Sequence, residues 1–284
     1  MTVISEKNQN EVTDCELGKK SIYPQSYSAE YLYPISRADK RLEIGIAPDA
    51  LPFVGFDCWN HYEVSWLNEK GKPIVAIAEI LYDCHSPCII ESKSLKLYFN
   101  SFNQFKFKSA DEVIQTIQND LEPRLKTAVT VALHSLNSAQ VPTMKTAFAG
   151  TCLDELDIAC ARYTIDANFL HTENAVVSES VYSDLLKSNC LVTHQPDWGS
   201  VQISYEGNKI NHEGLLRYIV SYRNHNEFHE QCIERIFVDI LNRCQPKKLT
   251  VYGRYTRRGG LDINPYRSTH AVDIHGLNFR LPRQ

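Results

Sequence analysis

The sequence predicts an α+β protein made of two similar modules with antiparallel strand pairing. Three observations point there. Short runs bounded by turn residues read as strands, and each half contains a helix with one apolar face. Both halves follow the same order. A displacement of 120 residues then lays one half on the other without a gap: Tyr98 on Tyr218, Ser101 on Ser221, Phe102 on Tyr222, Val113 on Ile233, Ile117 on Phe237, Leu121 on Leu241, and Thr130-Val131 on Thr250-Val251. Identities are few, so pattern alone also admits two unrelated strand–helix–strand units. The period is too long for a solenoid.

Residues 1–45 carry scattered Tyr, Pro and charges without a period and are expected to form an arm. The first module, 46–150, opens with strands at Cys58–Trp66 and Lys72–Tyr82. Between them, Asn68-Glu69-Lys70-Gly71 is turn chemistry in which Gly can take a positive φ. Ser94–Phe99 alternates apolar and polar and is expected as a further strand. Ser109 and Glu112 form a capping box. The helix it opens sets Val113, Ile114, Ile117 and Leu121 on one face, with Pro123 ending it soon after. Thr127–Leu133 is the next strand. The second module, 151–284, has strands at Cys190–His194 and Ser200–Tyr205, broken by Gln195-Pro196-Asp197-Trp198-Gly199. A helix follows from His229 to Leu241, with Ile233, Phe237, Ile240 and Leu241 on one face, and a strand at Leu249–Tyr252.

Thirty Lys and Arg against 34 Asp and Glu give a net charge of −4, which argues against a dedicated nucleic-acid binder with its basic domain. A chain that is 43% hydrophobic and 23% charged has the material for a sizeable core. No apolar run approaches the ~18 residues of a membrane span. Met1 to Leu17 is polar, without the apolar stretch of a signal peptide. Nine cysteines cannot all pair within one chain. The expectation is a cytoplasmic protein with reduced thiols.

Polar residues are unevenly shared between the halves. Cys190, Asp197, His225, Glu227, His229 and Glu230 fall on Lys70, Ile77, Phe105, Phe107, Ser109 and Ala110, so the second module would carry the chemistry. Cys190 follows Lys187-Ser188-Asn189, at the start of a strand, and a nearby cation lowers a thiol pKa. Asp197, seven residues on across a turn, can bring its carboxyl back to the sulfur. That pair suits addition of a thiol to an electrophilic carbon with proton delivery. On spacing alone, a buried thiol and a turn carboxylate explain it as well. His225 and His229 are i, i+4, but Asn226 stands where a zincin needs Glu. His229-Glu230 suits a guanine-like ring edge, the carboxylate accepting two N–H bonds; a solvated first helical turn is the alternative. Cys84-His85-Ser86-Pro87-Cys88 offers three soft ligands, but no second Cys pair completes a zinc site. Arg254, Arg257, Arg258 and Arg267 flank Gly259-Gly260, either a phosphate grip or a charged turn. A Rossmann or Walker sequence is absent.

Four segments carry a resemblance. Glu91-Ser92-Lys93-Ser94-Leu95-Lys96-Leu97-Tyr98, Ser188-Asn189-Cys190 through Asp197-Trp198-Gly199-Ser200, Glu227-Phe228-His229-Glu230-Gln231-Cys232, and Tyr255 to Pro265 occur in the order found in the NADPH-dependent nitrile reductases of queuosine biosynthesis. The chain resembles their long, two-module form from about residue 45 to about residue 268. That resemblance implies tandem tunnelling-fold modules, each an antiparallel sheet with two helices on one face. It implies a homodimer, a small deazapurine substrate, NADPH, no metal, and no direct contact with nucleic acid or membrane. It also implies roles: Cys190 as the nucleophile forming a covalent thioimide and Asp197 as the proton donor. Ile90, Glu91, Ser92, His229 and Glu230 would hold the substrate, and Ser92, Lys93, Arg258 and Gly259 the cofactor. The same fold occurs in zinc-dependent GTP cyclohydrolases, which keeps a zinc enzyme as a rival, beside a catalytically silent purine- or tRNA-binding module.

Overall fold

The computed structural model describes residues 23–284 except 25, 48, 139–141 and 272–275. Residues 1–22 of the expected arm lie outside the described residues, and Cys15 with them. What is described of the arm is ordered onto the rest. Tyr27 sits among the rings of Tyr98, Phe102, Phe105 and Phe107 and donates its hydroxyl to Asp120 at 2.8 Å. Strand β1 (Pro34–Ser36) and helix α1 (Ala38–Glu43) follow.

The long strands β2 (Val54–Leu67) and β3 (Pro73–Asp83) form a hairpin, and β4 (Cys88–Ile90) pairs antiparallel with β1. Next comes a correction. Ser94–Phe99 is not a strand but part of helix α2 (Ser92–Asn100). Six alternating residues also satisfy i, i+3, i+4 spacing, and here Leu95, Tyr98, Phe99 and Phe102 are buried on one stripe. The decisive signal is Glu91, whose carboxylate caps the helix by accepting from the N–H groups of Lys93 (2.8 Å) and Ser94 (2.7 Å). Helix α3 (Ala110–Leu125) starts where the capping box places it, with Ser109 accepting from the Glu112 N–H at 3.2 Å. The Glu112 carboxylate reaches back to the Lys108 N–H, one residue beyond the usual partner. Val113, Ile117, Leu121 and Leu125 are buried, and the helix ends two residues after Pro123 at a left-handed Lys126. Strand β5 (Val129–His134) completes the first half.

The second half repeats this with β7 (Thr172–Asn189) and β8 (Pro196–Ile210), preceded by the two-residue β6 (Thr151–Cys152). Helix α4 (His212–Ser221), helix α5 (His229–Cys244), β9 (Lys248–Tyr255) and β10 (Leu261–Ser268) follow. The expected break at 195–199 is misplaced. Pro196 is the first residue of β8, where a missing N–H is tolerated, and it faces Asn189. The turn is 190–195 instead, with His194 at φ 56°. Cys190 therefore follows a strand rather than starting one.

The repeat extends to hydrogen bonds. Tyr98 and Tyr218 donate to Asp120 and Asp239, each at 2.6 Å. Ser101 and Ser221 donate to the carbonyls of Tyr98 and Tyr218, each at 2.6 Å. The displacement is 120 at the tyrosines and 119 at the aspartates, so the second copy lacks one residue between its helices. Helices α3 and α5 accordingly match at 119, with left-handed C-caps at Lys126 and Gln245.

Among the described residues eight strands form one sheet in the order β5-β3-β2-β10-β9-β8-β7-β6, antiparallel except at β6–β7. Strand β10 pairs with β2 over its whole length and with β9 at Tyr266, Arg267 and Ser268, so it joins the halves. Each half has its own apolar core. Trp59, Ile80 and Val131 pack with Tyr98, Val113 and Ile117. Val201, Ile203 and Val251 pack with Tyr218, Ile233 and Phe237. A third cluster, around Tyr252, Tyr266 and Phe279, links β9 and β10 to the C-terminal segment. No helix of the described residues is long and apolar enough to cross a membrane.

Between the halves lies a buried ionic cluster. Arg267 contacts Asp57 and Glu234, each at 2.9 Å, and all three side chains are sealed from solvent. Burial by itself would raise Glu234, but Arg267, Arg41 and Arg37 hold it down to about 2. Removing one member of such a cluster leaves uncompensated charge in the interior. Arg267→Met is expected to destabilise the fold by about 3–5 kcal/mol, read as a lowered midpoint in denaturant. An unchanged midpoint would mean that the two acids re-pair with Arg37 and Arg41 alone.

Candidate active site

A narrow cleft opens where the two halves meet. Its polar lining is Ser92, Cys190, Asp197, His229, Glu230 and Arg258. Trp59, Ile89, Ile90, Phe228 and Ile263 form the apolar walls. Larger clefts elsewhere, such as the one beside Phe148 and Tyr252, contain no cysteine or other activated nucleophile.

Local structure places each group. Cys190 leaves the end of β7 into the tight 190–195 turn, closed by Cys190 N–H to Gln195 carbonyl at 2.9 Å and His194 N–H to Cys190 carbonyl at 3.0 Å. Burial pushes the Cys190 thiol up, but the Thr193 hydroxyl, the backbone N–H groups of Thr193 and Val192, and Arg258 outweigh it, holding the thiol below its ordinary value. The expected cation, Lys187, is engaged instead by Asn189 and the Arg223 carbonyl, each at 2.6 Å. Burial drives the thiols of Cys58, Cys84, Cys232 and Cys244 the other way. Cys190 is thus the thiol prepared to act as a thiolate.

Asp197 is the second residue of β8 and is 4% exposed. Its carboxylate lies between the Arg258 guanidinium at 2.8 Å and His229 Nε2 at 3.3 Å. Arg258 also donates to the Gln195 side chain at 2.6 Å, which ties it to the cysteine turn. His229 stacks flat on Tyr255, ring centres 3.9 Å apart and 5° from parallel. Its Nδ1 has no partner, and neither does Glu230 Oε1 or the Trp59 indole N–H, although all are buried. Buried polar groups are normally satisfied, so this cluster of orphans marks where a polar ligand is expected. Glu230 is 1% exposed, which excludes the solvated-turn alternative. Burial and then Asp57 raise its carboxyl to about 8, against the pull of Arg37 and Arg267.

The cleft thus brings together Ile90, Ser92, Cys190, Asp197, His229, Glu230 and Arg258. Glu91, Lys93 and Gly259 do not line it. Both oxygens of Glu91 are spent on the cap of α2, which points that helix's N-terminus and Ser92 at the cleft. Gly259 and Gly260 form the two-residue turn between β9 and β10, with φ of 56° and 72°. A Cβ at Gly259 would meet the Lys96 chain at 3.1 Å. The arginine group divides: Arg254 and Arg267 are buried structural residues, Arg257 lies over the Tyr62 ring, and Arg258 alone reaches the cleft. His225 precedes α5, so it does not stack with His229. It contacts Glu227 at 2.8 Å, and Arg235 takes both oxygens of that carboxylate. Asp83, Cys84 and His85 lie close together, with His85 held by Asp83 at 2.7 Å, and Cys88 is not among them. Sequence reasoning missed Trp59, Ile89, Phe228 and Ile263. Apolar wall residues look like core, and only the pairing of Trp59 with Ile263 across β2 and β10 brings them to one wall.

An antiparallel α+β fold with an activated thiol and charged side chains in an apolar-walled cleft defines a class of small-molecule enzyme. Comparison with known proteins narrows it. Residues 23–133 match the family described as nitrile reductase, 7-cyano-7-deazaguanine-reductase N-term, and residues 196–273 match the QueF-like protein family. The chain is 61% identical over 276 residues to the NADPH-dependent 7-cyano-7-deazaguanine reductase of Legionella pneumophila (strain Lens), covering 97% of each. It is 53% identical over 255 residues to the reductase of that name from Hydrogenovibrio crunogenus, covering 89% of this chain and 91% of that one. The chain belongs to the 7-cyano-7-deazaguanine reductase family of nitrile reductases.

Proposed function

We propose that the chain reduces the nitrile of 7-cyano-7-deazaguanine to an aminomethyl group, consuming two NADPH. The observation that carries this is the lowered Cys190 thiol beside Asp197 in a cleft with unpaired ring-binding groups. The Cys190 sulfur adds to the nitrile carbon, and the thiol proton passes by way of Asp197 to the nitrogen, giving a thioimide. When bound, NADPH would supply the hydride for that carbon. Asp197, reprotonated from solvent, protonates the nitrogen; the C–S bond breaks, an N–H proton returning to the sulfur to restore the thiol, and the resulting imine would take a second hydride and a second solvent proton. Two hydrides and two protons convert C≡N to CH₂NH₂.

Glu230 and His229 hold the deazaguanine edge, with Ile90 and Ser92 on the opposite wall. Glu91 reaches the ring only by releasing its two cap partners. The donor set at the mouth fits an anionic cofactor. Ser92 stands at an N-terminus that favours negative charge, with Lys93 beside it and Arg258 and Gly259 across the cleft. The walls keep water from the imine. Of the expected arm (1–45) and modules (46–150 and 151–284), the two modules act in this reading as one unit joined through β10, and the described part of the arm attaches through β1 and β4. The protein is a cytoplasmic homodimer that makes no direct contact with nucleic acid.

The test is NADPH oxidation by the purified protein without added metal. Two NADPH are expected per nitrile consumed, and none without the nitrile. Absence of both NADPH oxidation and a covalent adduct by mass spectrometry would sink the reading.

A further inference from the structure

We infer that Arg37, on the arm, is a positioning residue that favours the carboxylate form of Glu230 for ring recognition by neutralising Asp57 next to it. The inference rests on the proposal that Glu230 binds the substrate ring. Three features support it. The first is the path of the arm. β1 pairs with β4, Arg37 N–H donates to the Pro87 carbonyl at 3.0 Å, and Arg37 Nε donates to the Cys88 carbonyl at 3.4 Å. The same residue that fixes the strand leading into the Ile89-Ile90 wall thus sends its guanidinium inward.

The second is where that guanidinium arrives. It bonds Asp57 and lies 3.3 Å from Glu234, itself 1% exposed. Glu234 is four residues after Glu230 on α5, so both carboxylates project from one helix face. The third is charge balance. Arg37, Arg41 and Arg267 oppose Asp57 and Glu234, leaving one positive charge that an ionised Glu230 completes. Without Arg37 the set balances with Glu230 protonated.

Glu230 faces Asp57 from β2, Tyr82 from β3, Arg267 from β10 and Arg37 from the arm. Glu234 and His229 are its neighbours on α5, and Asp197, Arg258 and Cys190 line the same cleft. Burial and Asp57 push its carboxyl up to about 8, while Arg37 and Arg267 pull down. A protonated carboxyl offers a poorer acceptor to two ring N–H groups, whereas the carboxylate accepts both. Affinity for the ring therefore rises with pH and levels off above about 8.

The experiment measures dissociation constants for 7-cyano-7-deazaguanine across pH in the full chain, in a Cys190→Ala background so that thiol titration and adduct formation do not contribute. The parent is expected to show a turning point near 8. Arg37→Met removes a cation and should move that point up by about one pH unit or more, with Arg37→Lys restoring part of the shift. Asp57→Asn removes an anion and should move it down. Opposite movements in the two variants are the signature, and either one alone tests the sign if the other fails to fold. Weaker binding with an unmoved turning point would show that the arm only packs, and would overturn the inference. Glu230→Gln separates the underlying reading. If it leaves both affinity and pH dependence intact, Glu230 does not bind the ring and the premise falls with it.

Discussion

Cys190→Ala is expected to abolish nitrile reduction, with turnover falling by about 10⁴-fold or more, while affinity for the deazaguanine ring stays within a few-fold. The two readouts separate because the groups assigned to the ring, Glu230 and His229, sit on α5 and do not depend on the sulfur. Cys232, three residues after His229 on the same helix, is fully buried and pushed up by that burial. The 190–195 turn closes on backbone bonds, so its shape survives loss of the side chain. A covalent adduct detectable in the parent should vanish in the variant. The direction of the thiol shift adds a pH signature. Thr193, Val192 and Arg258 favour the thiolate, so the rate of adduct formation should rise and level off at lower pH than for an unperturbed thiol. Thr193→Ala should move that limb back up. Appreciable reduction by Cys190→Ala would mean that hydride reaches the nitrile without covalent activation.

How much of this the sequence revealed depends on the kind of signal. The duplication was legible because core positions repeat in both copies: Tyr98 and Tyr218 fill equivalent places, and Val113, Ile117 and Leu121 have counterparts at Cys232, Ile236 and Ile240. The one-residue slip between the second pair of helices was not. Both displacements, 119 and 120, place apolar on apolar along α5, whose buried face is wide enough to include Cys232, Ile233, Ile236 and Phe237. The Ser94–Phe99 strand failed because six residues fit both periods, and the Glu91 cap that decides between them was read as a ligand group. Pro196 misled in the same way. A proline after a polar run signals a turn, but at the first position of a strand it costs no ladder bond.

At the site, residues with uncommon chemistry were easier to find than those that arrange them. Cys190, Asp197, His229 and Glu230 stand out because the other copy has Lys, Ile or small residues at or beside those positions. The cation that depresses the thiol comes from Arg258, 68 residues away from Cys190 in sequence, and spacing pointed to Lys187 instead. The arm carries no period at all, yet it delivers Arg37 to the buried acids. Such contacts follow from the sheet order, in which β10 lies between β2 and β9, and no local pattern encodes that order.

Asp197→Asn should slow turnover by about 10²–10⁴-fold, the range for losing a positioned proton carrier, with little change in ring affinity. Asn keeps the shape, and its single carbonyl oxygen can still accept from Arg258 with the NH2 turned toward His229, but it cannot take a proton from the thiol and pass it to nitrogen. The first step then stalls, and the thioimide forms poorly or not at all. A split between kcat and KM distinguishes this from a structural effect. Loss of an ion pair that merely holds Arg258 would disturb the turn through Gln195, which Arg258 grips at 2.6 Å, and would weaken binding as well as turnover. The carboxylate is 4% exposed and sits opposite Ser188 at the start of β8, so bulk water is a poor replacement donor. Small acids added to the assay should therefore give little rescue. A near-normal rate in Asp197→Asn would remove it as the proton carrier and leave His229, stacked on Tyr255 with an unpaired Nδ1, as the group to replace next.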